Sequence, residues 1–321
     1  MTDFNIRITS EASGNRIDLF LTQKISQFSR SKIQKYIKNG DILVNKKKVK
    51  PNWILKKGEY VTGDIQLDIT PTLNPENIPI NILYEDDYII IIDKKSGIVV
   101  HPGNAINSGT LANSLIYHFK ELSHMDTLRP GIIHRLDKET TGVIIIAKSN
   151  DIHGKLSKLF QNRKIKKKYK AITWGKVNDQ EIISTNICRN RVDRTLFTTS
   201  NTRGKNAQTM YNLITYYTPL SYIDVELKTG RTHQIRVHLN SIGHPIICDD
   251  SYNGGKERIK SFHSKYSQKL TKVFKHINRV ALHAESVEFI HPKSKKKIKV
   301  SAPIPEDMNN ILLILDEYNR S

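Results

Sequence analysis

The chain has 321 residues, enough for one large domain and a small companion, and carries 51 Lys+Arg against 31 Asp+Glu, a formal charge of +20 at pH 7. That excess favours a polyanionic partner such as nucleic acid, although a lysine-biased proteome gives the same balance. Cys188 and Cys248 lie far apart and make no CxxC pair, Met1–Arg7 has no apolar signal core, and no run nears the roughly 18 apolar residues of a membrane span, so a cytoplasmic protein with no disulfide framework, thiolate zinc site or membrane segment is expected.

In chain order, residues 14–68 read as a compact basic unit. Asn15–Leu21 starts an amphipathic helix. Ser29–Asn39 predicts a second, with Ser29 as N-cap and Gly40 as its stop. Ile33 and Ile37 share one face, leaving Arg30, Lys35 and Lys38 for solvent. Asp41–Lys50 predicts a hairpin whose turn carries Lys46, Lys47 and Lys48, and one more strand follows Gly58. Two helices followed by a basic hairpin resemble the S4 RNA-binding fold. That resemblance implies an RNA-facing surface made by Arg30, Lys32, Lys35, Lys38, Lys46 and Lys47. Pro71, Pro75 and Pro79 among polar residues mark a linker. The expected division is therefore 1–68, linker 69–79 and 80–321.

The large domain begins with two strands around an acidic turn, Ile82–Lys94, and a helix opening at Gly109-Thr110-Leu111. Val143–Ala147 is a short unbroken apolar run rich in β-branched residues, which predicts a strand buried on both faces. Ahead of it, bracketed by Gly131 and Gly142, a polar loop carries His134, Arg135, Asp137, Thr140 and Thr141. A polar loop mounted on a rigid core strand commonly carries function, and a surface turn with a capping Asp is the plain alternative. Asp151–Arg163 predicts a helix, Lys166–Ile172 a basic alternating strand around Tyr169, and Ile182–Ile187, Arg194–Thr199 and Ala207–Tyr217 further strands. A strand from Val225 ends at Gly230, and a helix begins near Thr232. His233 and His238 are five apart and cannot share a helix face as an i, i+4 zinc pair does. Lys256–Lys275 reads as a helix-containing excursion and Lys295–Lys297 as a hairpin turn.

His134-Arg135-Leu136-Asp137 with Thr141-Gly142, and Thr229-Gly230-Arg231-Thr232-His233-Gln234-Ile235-Arg236, resemble the motifs of the RluA-type pseudouridine synthases. Asp249, Tyr252–Gly255, Arg279–Ala284 and Ala302–Pro305 continue the likeness, which runs from about Gly14 to Pro305. The family has Pro where this chain has Lys95. The resemblance implies an α+β architecture: an S4-like module, then a catalytic domain on a large mixed, mainly antiparallel sheet. It implies isomerisation of uridine in 23S ribosomal RNA, in helix 69, without cofactor or metal. A synthase acting on other 23S uridines, or a non-catalytic ribosome-assembly protein, would share the charge and the S4-like module.

The family's nucleophile maps to Asp137, its uracil-stacking residue to Tyr169 and the partner of the Asp to Arg231. Arg135 is implied to fill the stack vacated by a flipped base, and Ile235 to form an apolar wall. His134 and Thr141 are expected at the substrate, while His101 and His283 are scaffold residues. The residues leave open whether Asp137 attacks C6, attacks C1′ or draws a proton from C2′. A monomer is the default.

Overall fold

The structure, a computed structural model, describes residues 2–25, 28, 30–65, 73–103 and 106–320. The expected cap Ser29 lies outside them. The chain divides into two compact units, 1–72 and 73–321.

The first unit contains β1 (Thr2–Arg7), α1 (Ile17–Lys24), α2 (Arg30–Asn39), β2 (Ile42–Val44) and β3 (Tyr60–Ile65). Its sheet order is β1-β3-β2. Ile17, Leu21, Ile33, Ile37 and Val61 are fully buried and make its core. The expected hairpin is shorter than its sequence pattern. Asn45 and Lys46 adopt positive φ (48° and 61°), and Val44 already meets Lys47, so the chain turns within two residues. The long partner of β2 is β3 instead. β1 had no sequence signal of its own, and its pairing partner lies near residue 60.

Asp18 is a buried charge of this unit. Burial alone would raise its pKa; hydrogen bonds from Arg16, Gln34 and Arg30 outweigh that and hold it at about 2. Two nitrogens of Arg30 are spent on this carboxylate, at 3.0 and 2.9 Å. Arg30 thereby braces the two helices while its side chain, expected on the RNA face, stays 47% exposed. Lys35, Lys38, Lys46 and Lys47 are exposed, and the Lys32 ammonium lies 5.1 Å from the Phe28 ring centre.

The second unit holds β4 (Asn81–Glu85), β5 (Ile89–Lys94), α3 (Leu111–His118), β6 (Thr141–Ala147), α4 (Asn150–Gln161), β7 (Lys166–Trp174) and β8 (Gln180–Arg189). It continues through β9 (Phe197–Ser200), β10 (Lys205–Tyr216), β11 (Leu220–Leu227), α5 (Gln234–Ser241), α6 (Ser267–His276), β12 (Leu282–Ile290), β13 (Lys297–Ser301) and α7 (Glu306–Arg320). Ten strands form one sheet in the order β4-β5-β6-β12-β7-β11-β10-β8-β9, with β13 on β12. The β6–β12 pair is parallel and the other strand pairs are antiparallel.

β5 and β6 are covered on both faces, and period 2 divides their side chains between two cores. Ile90, Ile92, Ile144 and Ile146 pack into one core; Ile89, Ile91, Val143, Ile145 and Ala147 pack into the other. Every residue of β6 is buried, as its unbroken apolar run requires. β9 starts later than expected because Asp193 accepts from Thr195 N–H (2.8 Å) in a preceding turn. α7 lies beyond the last motif, with Met308, Ile311 and Leu315 buried. Of the expected linker, residues 73–79 are fastened to α3: Asn113 donates to Asn74 O at 2.8 Å and Ser114 to Ile78 O at 2.6 Å.

Candidate active site

Two glycines fix the polar loop on its strand. Gly131 has φ 67°, and a Cβ there would come within 2.6 Å of Ala147 O. Gly142 has φ 109°, and a Cβ would fall 2.1 Å from Ala284 O, across the parallel β6–β12 contact. Only glycine fits that backbone approach without displacing a strand. Lys94 adds a third tie. Its buried ammonium donates to the carbonyls of Lys95 (2.8 Å), Ile98 (3.0 Å) and Lys138 (3.0 Å). The turn carrying Lys95 in place of the family's Pro is thus pinned to the residue after Asp137. Burial pushes the Lys94 amine down to about 7.

Asp137 opens onto a cavity of about 480 Å³, lined among others by Arg135, Tyr169, Ile235 and Arg236. That size suits a nucleobase with its sugar. Arg135, Arg163, Lys166, Lys167, Lys228 and Arg231 surround it with positive charge. Tyr169 arrives on β7, opposite Val225 of β11, and is 8% exposed. Burial and the Asp137 carboxylate hold its phenol well above the usual range, so it is protonated at neutral pH.

The guanidinium on Asp137 belongs to Arg236, not to Arg231 as expected. Arg236 Nη1 donates to Asp137 Oδ2 at 3.3 Å. Its Nε and Nη2 donate to Asp249 Oδ2 and Oδ1, both at 2.7 Å, a bidentate pair on a nearly inaccessible carboxylate. Burial opposes the Arg236 charge, but Asp249 and Asp137 together raise its pKa. Arg231 Nε donates to Asn206 O at 3.1 Å, on the cavity's rim. The reason is where the helix starts. His233 adopts the left-handed conformation (φ 54°, ψ 21°), and α5 begins at Gln234. Arg231 therefore stays in the turn, while Arg236 falls in the first helical turn with Ile235, both buried. Gln234 closes the turn by accepting from Arg231 N–H (3.0 Å) and from the Thr229 hydroxyl (2.7 Å).

Of two other expected substrate residues, Thr141 is turned into the sheet and His134 is tied to its strand. The Thr141 hydroxyl meets His283 Nδ1 at 2.9 Å inside the sheet, away from the cavity. His134 Nε2 accepts from Ile145 N–H at 2.9 Å, and its ring lies 4.8 Å from that of Phe160. Burial, aided by Lys167, lowers its pKa to about 3, so the ring is neutral. His134 locks the loop to β6, although one side of it borders the cavity. Arg236, Asp249, His233 and Tyr252 belong to this cluster without having been assigned roles from sequence. Their signal was the run of polar and aromatic residues in two otherwise family-like segments, and it did not say which of them turn inward.

The family models match on both units. An RNA pseudouridylate synthase model matches residues 88–241, and an S4 domain model matches residues 16–61. An uncharacterized RNA pseudouridine synthase of Chlorobaculum parvum is 42% identical over 304 residues, covering 92% of this chain and 93% of that protein. The ribosomal large subunit pseudouridine synthase D of Buchnera aphidicola is 38% identical, over 94% of this chain and 95% of its own. Among solved structures, human RNA pseudouridylate synthase domain containing 4 superposes with a TM-score of 0.57 at 25% identity, covering 74% of this chain and 93% of that one. The chain belongs to the RluA-type RNA pseudouridine synthases, isomerases, and carries an S4 domain ahead of its catalytic domain.

Proposed function

We propose that this enzyme converts uridine to pseudouridine in 23S ribosomal RNA, in helix 69, with Asp137 as nucleophile acting on a flipped base. The observation that carries the reading is a carboxylate, gripped by a buried Arg236, at a cavity of base-plus-sugar size. The relatives named ribosomal large subunit pseudouridine synthase D support the choice of RNA. In the reaction the N1–C1′ bond of uridine breaks and a C5–C1′ bond forms. The proton on C5 leaves and one is gained at N1, so no group is lost.

As the nucleophile, Asp137 acts through its carboxylate. Arg236 supplies the opposing charge and an orientation. Tyr169 stacks on the uracil, worth roughly 1–3 kcal/mol for an aromatic platform. Its raised phenol pKa argues against proton removal in the empty site. Covalent attachment of Asp137 would abolish that carboxylate's charge, one of the two causes, and so favour a late role at C5. Arg135 is exposed at the mouth and fills the vacated stack, where a planar guanidinium can both stack and donate. Ile235 forms the apolar wall. The exposed lysines of the S4 domain add sequence-independent, salt-sensitive affinity.

Pseudouridine mapping of ribosomal RNA from cells lacking this protein tests the substrate. Loss of helix 69 sites, restored by the wild-type chain, is the expected result. Loss at other 23S positions would reassign the target, and no loss would remove ribosomal RNA as the substrate.

A further inference from the structure

We propose that His233 is a positioning residue for this isomerisation: its ring carries a proton on Nε2, aims it at Asp137, and owes the bare Nδ1 to Tyr252. The proposal rests on Asp137 being the nucleophile.

Three observations carry it. The first is strain. His233 is a non-glycine residue in the left-handed region, and its side chain makes no helix-capping hydrogen bond. Such a conformation is costly for a side-chain-bearing residue and persists where the surroundings impose it. Here the turn delivers the ring into the cavity's wall, edge-on to Phe197 (5.6 Å between centres) and Tyr252 (5.7 Å).

The second is hydrogen-bond direction. Phe197 N–H donates to the Tyr252 hydroxyl oxygen at 2.9 Å. That hydroxyl also lies 2.9 Å from His233 Nδ1. With its oxygen already accepting, the phenol satisfies both groups by donating its own proton to Nδ1. A neutral ring that accepts at Nδ1 carries its proton on Nε2. Burial, with Arg236 and Arg135 nearby, keeps the ring from charging, against the pull of Asp137 and Asp249. Nε2 lies 3.9 Å from Asp137 Oδ1. That is longer than a hydrogen bond, and catalytic hydrogen bonds commonly tighten only when substrate is bound.

The third is symmetry of support. Arg236 serves one oxygen of Asp137 and His233 faces the other. Behind them, Asp249 holds Arg236 and Tyr252 holds His233. Both supports come from one turn, Asp249–Tyr252, which is locked to the core. A Cβ on Gly254 would fall 1.7 Å from Ile246 O, and Trp174 Nε1 donates to Gly254 O at 2.9 Å. One short rigid segment therefore sets the plane of the nucleophile through two different side chains.

Nitrogen-15 NMR of the histidine rings, with kinetics on the RNA substrate, tests this. In the wild-type enzyme without RNA, His233 should show a protonated Nε2 and a bare Nδ1. Tyr252→Phe should turn this into a mixture of tautomers, and Asp137→Asn should shift the Nε2 resonance. His233→Asn keeps a residue that tolerates the left-handed turn but cannot reach Asp137. It should lower kcat by about 10²-fold, the scale of a 1 Å misplacement, with KM for RNA unchanged. A wild-type ring protonated on Nδ1, or His233→Asn turning over at the wild-type rate, overturns the proposal alone. Turnover by Asp137→Asn overturns the nucleophile reading beneath it. The ring spectrum separates the two failures because it needs no turnover.

Discussion

Replacing Arg236 by Lys should disable the enzyme far more than the same change at Arg231. The guanidinium of Arg236 bridges two carboxylates, with Asp249 at 2.7 Å on two nitrogens and Asp137 at 3.3 Å on the third. An ammonium keeps the charge but has no planar fork with which to hold both. Asp249, with a side chain only 1% exposed, cannot go unpaired and will keep the ammonium. Asp137 then loses its anchor and the orientation that goes with it. A displacement of order 1 Å costs about 10²-fold in rate. That is about 2.7 kcal/mol on the barrier. Arg231 donates to a backbone carbonyl on the rim, so Arg231→Lys should raise KM for RNA and spare the chemical step. Single-turnover release of tritium from carbon 5 of labelled uridine in a transcript reads the chemistry. Circular dichroism melting of each variant confirms that it is folded. Equal single-turnover rates for Arg236→Lys and wild type, or a larger loss in Arg231→Lys, would refute the pairing as the working geometry.

Three further predictions test other parts of the account. Tyr169→Phe should still bind RNA but lose about 10²-fold or more in turnover if the phenol moves the C5 proton; a wild-type rate would leave stacking as its whole role. Gly142→Ala puts a Cβ 2.1 Å from Ala284 O at φ 109° and should cost at least about 3 kcal/mol, roughly 6–12 °C in Tm, so an unchanged melting temperature would sink the close-packing argument. His238 and His283 are buried with pKa values held at about 4, below 6.5, so the unfolded chain binds more protons than the native one between those values. Their contribution is full above pH 6.5 and is lost as pH falls toward 4, by about 1.4 kcal/mol per pH unit for each. The urea midpoint should therefore fall as pH drops from 6.5 toward 4, and a midpoint independent of pH would show that these rings are not buried neutral.

The parts of this molecule that sequence made legible are those set by period and by glycine. An unbroken apolar run at Val143–Ala147 has one structural solution in a covered sheet, with odd and even positions in different cores. The pair Gly131 and Gly142 marked backbone approaches that a side chain forbids. The polar loop's residues fitted a surface turn as well as a site, and it was the resemblance of His134–Asp137 with Thr141-Gly142 to a family motif that singled out Asp137. What stayed hidden depended on direction. Arg231 and Arg236 are alike in type and close in sequence, and a single left-handed residue, His233, decides which points inward. Arg30, a helix-surface arginine by its spacing, is drawn onto Asp18, whose burial no local pattern announces. Thr141 and His134 flank Asp137 in sequence, yet Thr141 meets His283 of β12 and His134 accepts from Ile145 N–H of β6, partners that sequence spacing alone does not reveal. β1 illustrates the same limit, since its strand character comes from pairing with β3 more than fifty residues away.

The central claim is that Asp137 performs the chemistry. Its most direct test is Asp137→Asn, a near-isosteric change that removes the charge, measured on a 23S ribosomal RNA transcript with the purified protein. The Asp137→Asn protein should bind RNA as the wild type does and form no pseudouridine, even at long times with enzyme in excess. Pseudouridine formed at a rate comparable to wild type would contradict the claim.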